Sequence, residues 1–277
     1  MAFTFFGRRL PLSAAFGPLV IAATLFLFLF GPLIAPYGQE EVVGMPFDTP
    51  SAAHPFGLDQ NGRDMLSRLF WGARMSIGVS LAAVVISFAI GVPLGFLAAL
   101  RGGWPDAVGA RLVDVVMSVP VLISALVVLQ ALGSSLPVLI GTIALLDSTR
   151  VFRLARIVAQ GITVMEYAEV ARLRGESTWW MIRREILPNA LPPLMAEFGM
   201  RFCFTFLFVA GLSYLGLGVQ PPFADWGGMV RDNQQGILYG LYAPLFPAGA
   251  IALVTIGVNL VVDQALAGRT AWQGENR

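Results

Sequence analysis

Five stretches of this chain carry no charged residue: 10–39, 75–100, 115–146, 202–224 and 233–262. Such runs leave few folding options. A membrane-crossing helix needs about 20 apolar residues, and it satisfies its own backbone hydrogen bonds in lipid. The runs are spread over the whole chain, and charged residues make up only 13%, where a soluble domain carries about 25%. The expected fold class is therefore an all-α polytopic membrane protein. The 115–146 run is too long for one helix and contains Gly133-Ser134-Ser135-Leu136-Pro137, a turn signal. Dividing it there predicts six transmembrane helices, near 15–35, 76–100, 112–132, 137–157, 191–215 and 244–266.

The first run follows Arg8-Arg9. It is long for the apolar core of a signal peptide, has Pro32 and Pro36 in its second half, and lacks a clear small-x-small cleavage site. An uncleaved first span is expected. Orientation follows from arginine bias. With the N-terminus inside, the inner side or inner helix ends hold Arg8, Arg9, Arg101, Arg111, Arg150, Arg153, Arg156, Arg172, Arg174, Arg183, Arg184, Arg269 and Arg277. The outer side holds Arg63, Arg68, Arg74 and Arg231. Both termini are thus expected on the cytoplasmic side.

All 18 basic residues are arginine. Without lysine there is no Walker A loop, whose lysine reaches the nucleotide phosphates, and no lysine Schiff base. His54 and Cys203 are the only residues of their types, which leaves no Cys/His zinc cluster and no intrachain disulfide. No cofactor and no metal are expected in this chain.

A lone charge at mid-bilayer costs about 2.5–3.5 kcal/mol on insertion scales, so intramembrane charges need partners or water. Glu197 and Arg201 are spaced i,i+4, in the favourable order for a helical pair. Asp147 and Arg150 are spaced i,i+3, with Arg153 close by, and Asp263 lies in the last span. These charges are expected toward the cytoplasmic ends of their helices, where side chains snorkel. Structural pairing and a place in a polar translocation path both fit them.

One block interrupts the apolar pattern: Tyr167 to Asn189, YAEVARLRGESTWWMIRREILPN. Thr163 to Arg174 favour helix, and Gly175 supplies the left-handed conformation that closes one. Ser177 is placed to cap a second helix through Trp179, Trp180 and Ile182, and Pro188 is expected to stop it before span five. The exposed side is expected to offer Leu173, Trp179 and Met181 among arginines and glutamates. The residues alone fit two roles: an interfacial hairpin whose arginines face lipid phosphates, or a docking element for a cytoplasmic partner.

The pattern Glu169-x-Ala171, Gly175 and Leu187-Pro188 resembles the "EAA" loop by which importer permeases of the ATP-binding-cassette (ABC) class engage their ATPase. Val170 stands where the usual first alanine does. The resemblance continues along the chain. His54-Pro55-Phe56-Gly57-Leu58-Asp59 with Gly62-Arg63-Asp64 is similar to the segment before span two in permeases for peptides and nickel, with Leu58 in place of threonine. Tyr214-Leu215-Gly216-Leu217-Gly218-Val219-Gln220-Pro221-Pro222 and Asp225-Trp226-Gly227 resemble the family's outer loop, and Asn259-Leu260 with Asp263 its ending. The match is to the second of the two permeases in dipeptide- and oligopeptide-type systems.

The resemblance implies a type I ABC importer fold with cytoplasmic coupling helices, in the bacterial inner membrane. Residues 1–36 would be the N-terminal segment and first helix, and 37–75 a periplasmic loop. Residues 76–267 would form a five-helix permease core with the EAA-type loop at about 159–190, and 268–277 a cytoplasmic tail. It also implies a homologous second permease, one or two ATPase subunits holding ATP and magnesium, and a periplasmic or lipid-anchored binding protein. Glu169, Ala171, Gly175, Trp179, Leu187 and Pro188 would couple to the ATPase. Pro221, Pro222 and Trp226 would either meet the binding protein or brace their own loop at the interface, where tryptophan is favoured. No nucleic-acid partner is expected. The cargo stays open among di- and oligopeptides, nickel complexes, opines, glutathione and sugars.

Two other classes compete. An ion-gradient-driven secondary transporter predicts inverted repeats and broken mid-membrane helices around acidic residues, and no such repeat is visible. An intramembrane enzyme would need a nucleophile and base, but His54 lies outside the spans and Ser213 lacks the flanking glycines of a Gly-x-Ser-x-Gly elbow.

Overall fold

The computed structural model describes residues 2–5 and 8–275; Arg277, counted above for orientation, lies outside them. Two short strands, β1 (Ala2–Phe5) and β2 (Arg8–Pro11), pair antiparallel ahead of the first helix, an addition to the all-helical expectation. The rest is helical: α1 (Leu12–Ile34), α2 (Met65–Arg101), α3 (Gly103–Ser118), α4 (Val121–Leu132), α5 (Leu136–Thr163) and α6 (Glu166–Leu173) come first. Then follow α7 (Thr178–Trp180), a π-helical turn over Met181–Ile186, α8 (Leu187–Tyr214), α9 (Trp226–Asn233), a 3₁₀ turn over Gln234–Tyr239, and α10 (Leu245–Glu275). The expected tail from 268 thus continues as helix to Glu275.

Among the described residues four helices are long and apolar enough to cross a membrane: Ala15–Ile34, Met65–Arg101, Thr178–Tyr214 and Leu245–Gln264. A fifth is added if α3 and α4 count as one broken span. Three differences from the six expected spans have physical reasons. The second span begins at Met65, well before 76, because Asp64 accepts from the backbone N–H and hydroxyl of Ser67 and so caps the helix earlier than hydropathy suggests. At 37 residues it runs about 55 Å, against a hydrocarbon core of about 30 Å. The third span is not one helix. It bends by 83° between α3 and α4, where Val119 precedes Pro120 and is extended (φ −94°, ψ 133°), as a residue before proline prefers. The fourth, α5, follows Gly133 (φ +84°) as the turn signal predicts, but Asp147, Arg150, Arg153 and Arg156 interrupt its apolar run.

The chain packs as two compact units. The first comprises Met1–Leu81, Gly133–Leu139 and Phe202–Arg277; the second comprises Ala82–Leu132 and Ile140–Arg201. In the first unit α1 lies along α10. Its core gathers Met65, Phe206, Met229 and Trp226, all 1% exposed or less, with the Phe206 and Trp226 rings edge to face at 6.0 Å. In the second unit Phe96 of α2 packs on Ala155 and Ala159 of α5 and on Ile186, Ala190 and Leu194. There α2 and α5 meet backbone to backbone. A Cβ built on Gly91 would stand 2.7 Å from the Ser148 carbonyl oxygen, and one on Gly95 2.6 Å from that of Phe152. Small residues permit this approach, which dispersion rather than a hydrophobic force stabilises in lipid.

Candidate functional site

The charged block forms two short helices at an abrupt corner. Helix α6 begins after Met165, which is extended, and carries Glu166 and Glu169 in its first turn and Arg172 in its last, the placement that complements the helix dipole. It ends in a complete left-handed cap. Gly175 has φ +77°, its N–H donates to the Arg172 carbonyl (3.0 Å), and the Glu176 N–H donates to that of Ala171 (3.2 Å). Ser177 then caps α7 by accepting from the Trp180 N–H (3.3 Å).

The expected stop at Pro188 does not occur. The helix continues from Thr178 to Tyr214, through a π turn in which the Leu187 N–H reaches the Ile182 carbonyl. A proline normally breaks a helix by removing an N–H and crowding the carbonyl four residues back. Here the wide turn alters the bonding just ahead of Pro188, and such bulges bend a helix without ending it. The block is thus continuous with α8.

A small core holds the corner: Ala168, Ala171 and Met181 are 5% exposed or less, with Leu100 and Trp180 against them. Met181, expected on the exposed side of the block, is instead an anchor packed with Ala168 and Ala171 of α6. The Arg174 guanidinium lies over the Trp180 ring at 5.8 Å. Opposite this core the block displays Leu173 (81% exposed), Trp179 (68%) and Val170 (52%). Glu169, Arg172, Arg183, Arg184 and Pro188 are exposed around them, and Leu187 is exposed at the margin. Large apolar side chains set among charges are the composition of a protein contact surface. Of the six residues expected at this site, five lie at the surface, while Ala171 is fully buried and acts as a spacer.

The expected charge pairs form, and they also join. Arg201 Nε donates to Glu197 at 2.5 Å within α8, and Asp147 lies 3.5 Å from Arg150 within α5. Arg201 also reaches Asp147 at 3.6 Å, so one cluster ties α5 to α8. Two further bridges from α5, Arg153 to Asp114 and Arg156 to Asp106, bind it to α3. Spacing within one helix reveals the first two pairs; partners on separate helices leave no periodic trace. Asp147 and Arg150 stand near the middle of α5, and Glu197 and Arg201 near the middle of α8, not near an end as expected, because both helices run further than their apolar parts.

On the loops flanking α2 and α9, Pro221 and Pro222 are exposed, whereas Trp226 is 1% exposed. Its ring N–H donates to the Leu69 carbonyl and its backbone N–H to the Ser76 hydroxyl, both at 2.9 Å. Trp226 therefore braces this layer and offers no docking surface; its flat ring fills the core beside Gly72. Among the described residues no group of His, Cys, Asp and Glu is arranged to hold a metal ion.

Comparison with known proteins gives a consistent picture. Residues 91–267 match the family described as "Binding-protein-dependent transport system inner membrane component". The chain is 35% identical over 93% of its length to a probable D,D-dipeptide transport system permease protein of Escherichia coli K12, covering 86% of it. It is 31% identical, over 88% of this chain and 83% of the relative, to a glutathione transport system permease protein of Pectobacterium atrosepticum. A dipeptide transport system permease protein of Alkalihalophilus pseudofirmus is 32% identical, over 90% and 83% respectively. Among solved structures, a chain of an amino acid ABC transporter aligns with a TM-score of 0.51 and 21% identity, covering 71% of this chain and 92% of that one. At that identity the likeness concerns the fold.

Proposed function

The chain belongs to the family of binding-protein-dependent transport system inner membrane components, and from that premise we propose how its parts divide the work. It is the non-catalytic permease subunit of an ABC importer, coupled to a separate ATPase; an ion-gradient transporter is set aside by the family. Our reading is that it forms half of the path for a peptide-like solute, as the dipeptide, D,D-dipeptide and glutathione permeases named above suggest. A homologous permease supplies the other half, and a binding protein delivers cargo from outside. The bent α3–α4 pair and α5 serve as spans three and four of six, and both termini face the cytoplasm.

The block from Glu166 to Pro188 is proposed as the coupling element. The observation that carries this is the exposed set Val170, Leu173 and Trp179 on a corner closed by Gly175 and continuous with α8. The apolar trio seats in the ATPase, while Glu169 and the arginines fix register by charge, which sets specificity more than affinity. Because α7, the π turn and α8 are one helix, a push on Trp179 is delivered along α8 to Glu197 and Arg201. There the Asp147–Arg201 contact is placed to break and re-form as the path opens.

The test is Gly175→Val in the assembled complex. A β-branched residue at φ +77° is a steric outlier costing about 1–2 kcal/mol, enough to re-aim α6 while the spans remain folded. Uptake and substrate-stimulated ATP hydrolysis should both fall. If both persist unchanged in a normally assembled complex, the coupling assignment is wrong.

A further inference from the structure

The loop before α2 and the loop leading into α9 enclose a polar cavity of about 310 Å³, walled by Gln60, Arg63, Arg68, Pro222, Arg231 and Asp232 among others. Three guanidiniums border it. Arg63 Nε and Arg68 Nη1 share a single carboxylate oxygen, Asp59 Oδ2, at 2.9 and 2.5 Å, and Arg231 pairs with its neighbour Asp232 at 3.0 Å. Of the two acids on the wall, Asp225 and Asp232, the first is occupied as the cap of α9, accepting from the Gly228 N–H at 3.1 Å. Burial, with Asp232 nearby, holds its carboxyl toward the neutral form. Three arginines thus line the wall against two carboxylates.

Arg68 sharpens this picture. Its side chain is 5% exposed, yet its Nε is buried without a hydrogen-bond partner. A buried charged donor left without an acceptor is costly, and guanidiniums accept carboxylates through paired N–H donors. A cation would meet three arginines, and a neutral apolar group would leave the donor unsatisfied. We propose that this cavity is a binding site for a carboxylate presented from the outer side, with Arg68 and Arg231 as its donors. The inference rests on the functional reading above for that side, and it replaces Trp226 with these arginines as the recognition residues of the layer. Two sources carry the chemistry: an acidic side chain of the docking binding protein, or the terminal carboxylate of a peptide cargo.

The complete complex in nanodiscs is titrated with N-acetyl-dialanine, its C-terminal amide and inorganic phosphate, following thermal unfolding. The acid should stabilise saturably and the amide should not. Arg231→Gln should weaken the acid's apparent affinity roughly tenfold, as loss of a charged hydrogen bond implies. Arg68→Lys, which keeps the charge but lacks Nε, should weaken it too; should that variant fail to fold, Arg231→Gln alone decides. Equal effects of acid and amide, tighter binding of phosphate, or an unaltered affinity in Arg231→Gln would each overturn the proposal. Weaker capture of ligand-free binding protein by Arg231→Gln assigns the carboxylate to that protein. Slower uptake of free-acid peptides alone, with amidated ones unaffected, assigns it to the cargo. If neither responds, the site has no carboxylate role and the proposal falls. Absence of ATP-driven uptake by the unsubstituted complex would instead condemn the functional reading.

Discussion

The loops around α2 and α9 and the block from Glu166 to Pro188 both border long apolar helices, yet they are held in opposite ways. In the first, the hydrogen bonds that matter are long-range. The Trp226 N–H reaches Ser76, the Gln60 N–H reaches the Asn233 side chain, and the Ala224 N–H reaches Gln39. Asp59, Asp225 and Asn233 are 3% exposed or less, and each is bonded, which makes the layer specific and unforgiving. In the second, nearly every bond is local: a left-handed cap, a serine cap and a π turn. Its exposed apolar residues, Val170, Leu173 and Trp179, face outward. The first segment is built to keep one geometry; the second presents a surface, and in the function proposed above it passes on its movement.

The sharpest way to break this contrast is Trp226→Ala. A buried aromatic truncated in a packed core costs about 3–5 kcal/mol, so the purified chain should unfold at markedly lower temperature or fail to accumulate in the membrane. Near-normal thermal stability would mean that the layer is not rigid. Trp179→Ala is the mirror experiment. At 68% exposure it should leave thermal stability unchanged, while affinity for the ATPase drops by about 2 kcal/mol if it is a contact hot spot. A pull-down or titration with the ATPase reads this directly, and a stability loss without an affinity loss would reverse the two roles.

Ala171→Leu probes the spacer beneath α6. Ala171 has no exposed surface, and an added isobutyl group should cost about 1–3 kcal/mol by overpacking. It should disturb ATPase coupling more than global melting, since few residues share that small core. Hydrogen exchange over 166–186 would show the loosening; protection equal to that of the unsubstituted chain would count against the tight corner.

The smallest effect concerns pH. Burial lifts the Asp225 carboxyl above its ordinary value of 3.8, and Asp232 adds to the rise; the Gly227 and Gly228 N–H groups and the Ser213 hydroxyl oppose it. An acid whose folded value is raised favours the fold when protonated. Stability from this group is therefore present below the unfolded value and is lost as pH climbs through the folded one. Thermal melting should show this slope, and Asp225→Asn, which keeps a cap acceptor, should flatten it. An unchanged slope would mean that Asp225 is not its source.

What could be read from residues alone follows from this contrast. The charged block was legible because its determinants are neighbours: Glu169, Gly175 and Ser177 declare a helix, a left-handed close and a new start within ten positions. Pro188 misled for the same reason, since local rules predict a stop and only the π turn before it explains the passage into α8. The spans at 15–35 and 244–266 were legible from hydropathy. The 112–132 span was not, although Pro120 carried the signal for its bend.

From its residues alone this chain must be a bundle of apolar helices, has no lysine for a nucleotide loop, and carries one basic block unlike the rest. Composition and near-neighbour spacing suffice for such statements, because backbone satisfaction in lipid and helix capping are local requirements. Tertiary packing sets the rest: Trp226 is buried, Met181 turns inward, Arg201 joins Asp147, and Arg68 ends beside a cavity with its Nε unpartnered. Each of these depends on which distant helices meet, and no periodicity in one segment records the partner it will find in another.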